Sequence, residues 1–237
     1  MKERIWELEA LRGAALLGMI GIHLVYDLVD LFGVVAWQQP TWYLLFKNNY
    51  GALFLLISGI SVTLGRHCLK RGLTVFCCGF LCTAATVFMY LTGLAGKDII
   101  IYFGVLHCLG CCMLLWPVFR RSPQWLLAAL GVLLVGLGLW LRGEGFSFPW
   151  LMPLGLAPWG FASSDYFPLM PNLGYFLLGA VLGRQLYPEK ASRFPREDPP
   201  LKALQWLGRH SLGVYLIHQP LLAALVALMA GGIAGGK

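Results

Sequence analysis

Charge is scarce in this sequence. Asp, Glu, Lys and Arg make up 12% of its 237 residues, against about 25% in an ordinary soluble domain. Hydrophobic residues fill the gap at 58%, and the mean hydropathy is +0.70. A chain with this balance spends its length on membrane spans rather than on a soluble core.

Other absences narrow the reading further. The seven cysteines are Cys68, Cys77, Cys78, Cys82, Cys108, Cys111 and Cys112, and they form no Cys-x-x-Cys metal pattern with a second half. Nearly all fall within apolar runs, where free thiols behave as small hydrophobes, so neither a disulfide nor a metal is expected. No repeat of fixed period is present. The first apolar run is longer than a signal-peptide core and lacks a small-residue cleavage site, so it is expected to remain as a span. The net charge of +7 comes from basic residues lying between hydrophobic segments. These read as orientation signals, and nucleic acid is excluded as a partner.

Runs long enough to cross a bilayer, about 20 residues, occur near 10–30, 49–66, 72–94, 99–118, 124–142, 168–187 and 205–230. The expected fold is therefore an all-α membrane helical bundle of about seven transmembrane helices, forming a single domain over residues 1–237. With the N-terminus inside, the cytoplasmic flanks hold Lys2, Arg4, Arg12, Arg66, Lys70, Arg71, Arg120, Arg121, Arg184, Lys190, Arg193, Arg196, Lys202 and Arg209. The outer flanks hold only Lys47, Lys97, Arg142 and Lys237. Fourteen against four is a strong positive-inside bias, and it predicts an N-terminus inside and a C-terminus outside.

Two connections stand apart. The inner one, Tyr187 to Pro200, is Pro-rich and charged and reads as a surface linker. The outer stretch from Glu144 to Pro171 carries Trp150, Trp159, several Phe and five prolines. That composition suits either an interfacial belt or a re-entrant cap over a cavity.

The scarce charge is placed pointedly. Arg12, His23 and Asp27 lie in the otherwise apolar first span, although a charged group inside a span costs at least ~2.5 kcal/mol on insertion scales. Asp27 follows His23 by one helical turn, on the same face. A carboxylate there can orient an imidazole as a general base, or tie helices together as a buried pair. At about 1.5 Å per residue, His23 lies ~20 Å from the inner end of its span, His107 ~12 Å from the outer end of the fourth, and His218 ~20 Å into the seventh if that span begins near Gln205. Asn172 sits at the outer mouth of the sixth. Three histidines, an Asp and an Asn at one level predict a shared site in the outer half. Arg12, Arg66, Arg184 and Arg209 mark cytoplasmic ends. There they suit both membrane anchoring and bidentate pairing with phosphate groups of a ligand entering from the cytosol. Gly131, Gly136 and Gly138, with Gly174, Gly179 and Gly183, are expected to permit close helix approach.

The opening RIWELEALRG…HLVYDL, the IYFGVLHCLG of span four, the DYFPLMPNLGYFLLGAVLGR of span six and the LGRHSLGVYLIHQPLL of span seven together resemble the bacterial relatives of heparan-α-glucosaminide N-acetyltransferase. The resemblance covers nearly the whole chain. The ten-residue gap between Arg12 and His23 is also similar to the motif of acyltransferase family 3, whose His is taken as catalytic. The resemblance implies a transmembrane acyltransferase domain in the bacterial cytoplasmic membrane. It would move an acetyl group from cytosolic acetyl-CoA across the bilayer to an amine or hydroxyl, often on a sugar. On that reading His23 and Asp27 are catalytic, and His107, Asn172, His218 and Gln219 bind substrate. Arg12, Arg66, Arg184 and Arg209 hold the acyl-CoA, no metal is needed, and a homodimer is a further expectation. The sequence departs from the family pattern at Glu9, where an Asp is more usual. The lysosomal enzyme carries Asn at the position of His23 and its proposed catalytic His in the next lumenal loop, which here has no His.

The chemistry accords with this. A thioester is already activated, so positioning and one base near neutrality suffice, and general-base help is worth ~10²–10⁴ in rate. His107, His218 or Asn172 is placed to donate to the thioester oxygen; an acetyl-His23 intermediate is a variant. The competing classes are a proton-coupled transporter using the His and Asp groups as a relay, and a membrane haem protein with two of the histidines as axial ligands.

Overall fold

The computed structural model describes residues 5–194 and 201–235. Lys2, Arg4, Arg196 and Lys237 lie outside the described residues, as does the Pro195–Pro200 half of the inner linker. Among the described residues the chain is helical and has no strand. Its only ladder pairings are the isolated bridges Phe103–Tyr166 and Phe146–Pro158. It divides into two compact units, residues 1–50 with 192–237, and residues 51–191.

The first unit is built on α1, Trp6–Tyr26, which continues into a π-helical turn, Asp27–Leu31. Glu7 and Glu9 occupy the first turn of α1, where acidic groups complement the helix dipole. The helical path ends before Gly33, whose φ of +59° is a left-handed conformation that glycine accepts without steric cost. Helix α2, Thr41–Leu64, starts in this unit. The C-terminal part contributes α7, Lys202–Arg209, and α8, Ser211–Gly235. Helix α7 runs antiparallel to α1: a Cβ on Gly13 would strike the Leu204 carbonyl, and one on Gly208 the Glu9 carbonyl. The two glycines let the backbones touch. Arg209 Nε lies 3.5 Å from Glu9 Oε2, and Arg12 Nη1 donates to the Gly208 carbonyl at 3.5 Å.

This arrangement corrects one expectation. The last apolar run was expected to be a single span over 205–230, but the chain breaks at His210 and the membrane-length helix begins at Ser211. The physical reason is amphipathicity: Lys202, Gln205 and Arg209 alternate with Leu204, Trp206 and Leu207 in α7, so that segment lies along α1 and does not extend α8. His218 is consequently about 10 Å along its helix, half the depth inferred from the sequence.

The described part of the inner linker is held down rather than free. Glu7 accepts from Ser192 Oγ at 2.8 Å and from the Arg193 backbone N–H at 2.9 Å, and Trp6 Nε1 donates to the Phe194 carbonyl at 2.8 Å.

The second unit holds the rest of α2, then α3 (Cys68–Leu91), α4 (Val105–Phe119), α5 (Gln124–Trp140) and α6 (Leu169–Leu186). Helix α3 pairs with α4, and α5 with α6. Their core is made by Leu55, Cys108, Cys112, Trp116, Phe176 and Leu177 with their neighbours. Gly131 and Gly174 face each other, Gly138 meets Pro171, Gly179 meets Leu56 and Gly183 meets Ile60, as close approach requires, whereas nothing stands near Gly136. The outer stretch folds back on the residues that precede α4. Ser164 and Ser163 donate to the Ile99 and Ile100 carbonyls at 2.6 and 2.8 Å, and the Phe167 N–H donates to the Phe103 carbonyl at 2.9 Å. Trp150 and Trp159 remain exposed.

Among the described residues, three helical stretches are long and apolar enough to cross a membrane: Trp6–Leu31, Cys68–Leu91 and Ser211–Ala230. Helices α4 and α5 are apolar but shorter, with 15 and 17 residues. Phe80, Phe88, Leu91, Val118, Trp140 and Leu228 are exposed on these helices. Such a surface is an association hazard in water and is satisfied in lipid.

Candidate active site

Helices α1 and α8 are both irregular where their polar residues meet. Helix α1 widens into its π turn at Asp27, and α8 carries Pro220, which has no N–H to give to the preceding turn. His23 is half-buried and His218 buried. Their ring nitrogens, Nδ1 of His23 and Nε2 of His218, are 2.8 Å apart. The ring planes are 29° apart with centroids at 4.9 Å, the separation expected when two imidazoles share one proton edge to edge. The other His218 nitrogen, Nδ1, bonds the Tyr215 carbonyl.

The next residue on each side forms a second pair. Gln219 Nε2 donates to Asp27 Oδ1 at 2.8 Å, and Asp27 is wholly buried. Asp27 Oδ2 is a buried acceptor with no hydrogen-bond partner among the described residues, and the Gln219 side chain, besides holding Asp27, also bears on the His23 ring. The contact expected between Asp27 and His23 is not the one formed. His23 is held by His218, and the Asp27 carboxylate by Gln219. A little further along, Asp30 accepts from Gln39 Nε2 at 3.1 Å and lies 3.4 Å from Lys47 Nζ, which sits over the Tyr26 ring.

The expected site residues His107, Asn172, Arg66 and Arg184 belong to the second unit. His107 Nδ1 accepts the Gly104 N–H at 3.2 Å at the start of α4, and its ring lies among Phe76, Phe80 and Phe103. Its Nε2 is buried with no partner among the described residues. Asn172 is buried and donates to the Pro168 carbonyl at 2.8 Å. Arg184 gives Nη1 to the Ser122 carbonyl and Nη2 to the Arg120 carbonyl, at 2.8 and 2.9 Å, with its guanidinium over Trp116. It therefore ties down the turn between α4 and α5. Arg66 is exposed. Arg12 and Arg209 stay in the first unit, at the contact between α1 and α7.

Sequence reasoning passed over Asp165. Its Oδ2 accepts the Val105 N–H at 3.0 Å, so Asp165 and His107 between them satisfy two donors at the N-terminus of α4. Burial pushes its carboxyl up to about 6, partly opposed by the Val105 hydrogen bond. The available signal was an acid set well inside an aromatic, Pro-broken stretch.

The sequence model of heparan-alpha-glucosaminide N-acetyltransferase, catalytic, matches residues 4–220. The chain belongs to this family. The matched span takes in α1, the π turn and α8 as far as Pro220, and so includes both polar pairs. No curated protein and no solved structure matches the chain. Membership of the heparan-α-glucosaminide N-acetyltransferase family, with three membrane-length apolar helices, makes the protein an integral membrane protein of the acetyltransferase class.

Proposed function

We propose that the protein transfers an acetyl group from cytosolic acetyl-CoA to an amine or hydroxyl at the outer face, with His23 as general base and a sugar as the acceptor. The observation that carries this reading is the junction of α1 and α8. There a half-buried imidazole, fixed by a second imidazole, stands beside a buried and unpartnered acceptor, Asp27 Oδ2, and the Gln219 amide that holds its other oxygen. An acceptor atom of this kind suits a substrate rich in N–H or O–H groups, because an unmet buried acceptor costs about 1–3 kcal/mol. An amino sugar or polyol meets that need, whereas a carboxylate does not.

In the reaction, the acceptor N–H or O–H gives its proton to His23 as its heteroatom attacks the thioester carbonyl. The carbon–sulfur bond then breaks, CoA leaves as thiolate, and the His23 imidazolium returns a proton to it. Asp27 and Gln219 orient the acceptor. Arg12, Arg66, Arg184 and Arg209 are assigned to the donor on the cytoplasmic side. The positive-inside distribution supports an N-terminus inside, and the proposed setting is a bundle of about seven spans in the bacterial cytoplasmic membrane. Two imidazoles sharing a proton at 2.8 Å cannot flank an iron atom at the same time, which disfavours His23 and His218 as a pair of haem ligands.

The test is acetyl transfer from acetyl-CoA by the full chain in proteoliposomes, screened against amino sugars and cell-envelope glycans. Turnover by the wild type and none by folded, inserted His23→Ala is expected. Near-normal turnover in that variant would remove His23 from the base role.

A further inference from the structure

The geometry points to His218 as the positioning residue of the site: it fixes His23 in the tautomer that leaves Nε2 bare and basic. The inference rests on the reading of His23 as the base. It follows from counting protons along one line of hydrogen bonds. The Tyr215 carbonyl can only accept, so His218 Nδ1, which faces it, must carry a proton. In a neutral imidazole only one nitrogen is protonated, so His218 Nε2 is a bare acceptor. That acceptor lies 2.8 Å from His23 Nδ1, which must therefore hold the proton they share. The remaining nitrogen, His23 Nε2, is left with its lone pair.

The reverse assignment fails on the same atoms. If His218 Nε2–H donated to His23, its Nδ1 lone pair would be pressed against the Tyr215 carbonyl lone pairs. The backbone of α8 thus sets the tautomer of His218, and His218 sets that of His23, across two helices whose residues are 195 positions apart. The role is that of the carboxylate in a Ser-His-Asp triad, filled here by a neutral ring. When His23 Nε2 takes the acceptor's proton, the Nδ1–H bond to His218 stays in place and His218 gains no proton. Asp27 is released from the orienting role and keeps its contact with Gln219.

The test uses the full-length protein in bilayers with ¹⁵N-labelled histidine, at a pH of about 8 where free imidazole is neutral. The His23 and His218 signals are assigned by single substitutions. Wild type is expected to show protonated Nδ1 and bare Nε2 in both rings. His218→Ala is expected to lose the fixed tautomer of His23 and to lower kcat by about 10²-fold, with KM for both substrates unchanged. His218→Gln offers a carbonyl oxygen near the former Nε2 and is expected to recover to within about tenfold of wild type. Finding His23 protonated at Nε2 in the wild type would overturn the inference. So would equal losses in His218→Ala and His218→Gln accompanied by raised KM, which is the pattern of a merely structural residue. Should His23→Ala keep turnover while the wild-type nitrogens are as expected, the base assignment falls and the hydrogen-bond chain stands.

Discussion

Asp165 Oδ2 accepts the backbone N–H of Val105 at 3.0 Å across 60 residues of sequence. The contact fastens the outer stretch to the N-terminus of α4, and it titrates. Burial holds the Asp165 carboxyl up at about 6, above its ordinary value of 3.8, so the folded chain binds this proton more tightly than the unfolded chain does. The stabilisation is fully present below the unfolded value, falls as pH rises, and is lost once pH passes the folded value near 6. Between about 4 and 6 this group therefore lowers stability with rising pH. We expect Asp165→Asn to flatten the fall. Melting temperature in detergent across that range is the measurement, and an unchanged slope would mean the carboxyl is not held in this way.

Gly79 sits under the His107 ring, and a Cβ there would lie 2.9 Å from three of its ring atoms. Ring and helix cannot both keep their places in Gly79→Ala. Overpacking of this kind costs about 1–3 kcal/mol. We expect a lowered melting temperature and a disturbed hydrogen bond from Gly104 to His107, visible as a changed His107 signal in the labelled protein. A variant with wild-type stability and spectrum would show that the contact between α3 and α4 relaxes freely.

Hydropathy made the helical membrane class legible, together with α1, α3, the polar positions His23, Asp27 and His218, and most of the small-residue contacts, because each depends on local pattern. The partner choices were not legible. One-turn spacing put Asp27 beside His23, but the π turn beginning at Asp27 and the approach of α8 pair it with Gln219, 192 residues away. The break at His210 was hidden for a different reason. A hydropathy window averages amphipathic α7 into the apolar run that follows, and the alternation of Lys202, Gln205 and Arg209 with apolar residues that distinguishes them is lost in that average. Asp165 was passed over because a capping role across 60 residues leaves no periodic trace.

The orientation can be read at Lys97, which is exposed in the short turn Lys97–Ile99. If the positive-inside bias sets the topology, a cysteine placed by Lys97→Cys labels with an impermeant thiol reagent in intact cells, above the background of the seven native thiols. Cys68, beside the basic residues Arg66, Lys70 and Arg71, is expected to label only after the membrane is opened. Labelling at position 97 only after lysis would invert the orientation and, with it, the side from which acyl-CoA enters.

Asp27 and Gln219 give the last prediction, because their pairing separates two roles for a buried carboxylate. If Asp27 oriented the base, Asp27→Asn would be nearly as damaging to turnover as His23→Ala. The hydrogen bond to Gln219 instead predicts a milder kinetic loss and a structural coupling. Asp27→Ala leaves the Gln219 amide without its acceptor, and Gln219→Ala leaves the buried carboxylate without its donor, so each single variant is destabilised by about 1–3 kcal/mol. The double variant removes both unmet groups, so its loss should fall short of the sum of the singles by at least 0.5 kcal/mol, within the ~0.5–3 kcal/mol typical of contacting residues. Asp27→Asn should retain the fold and lower kcat less than His23→Ala does, with the larger effect on KM for the acceptor, because in the proposed reaction Asp27 orients the acceptor and not the base. Additive stabilities in the cycle would show that the pair is not coupled. Loss of kcat equal to that of His23→Ala, with KM for the acceptor unchanged, would return Asp27 to the proton-handling machinery.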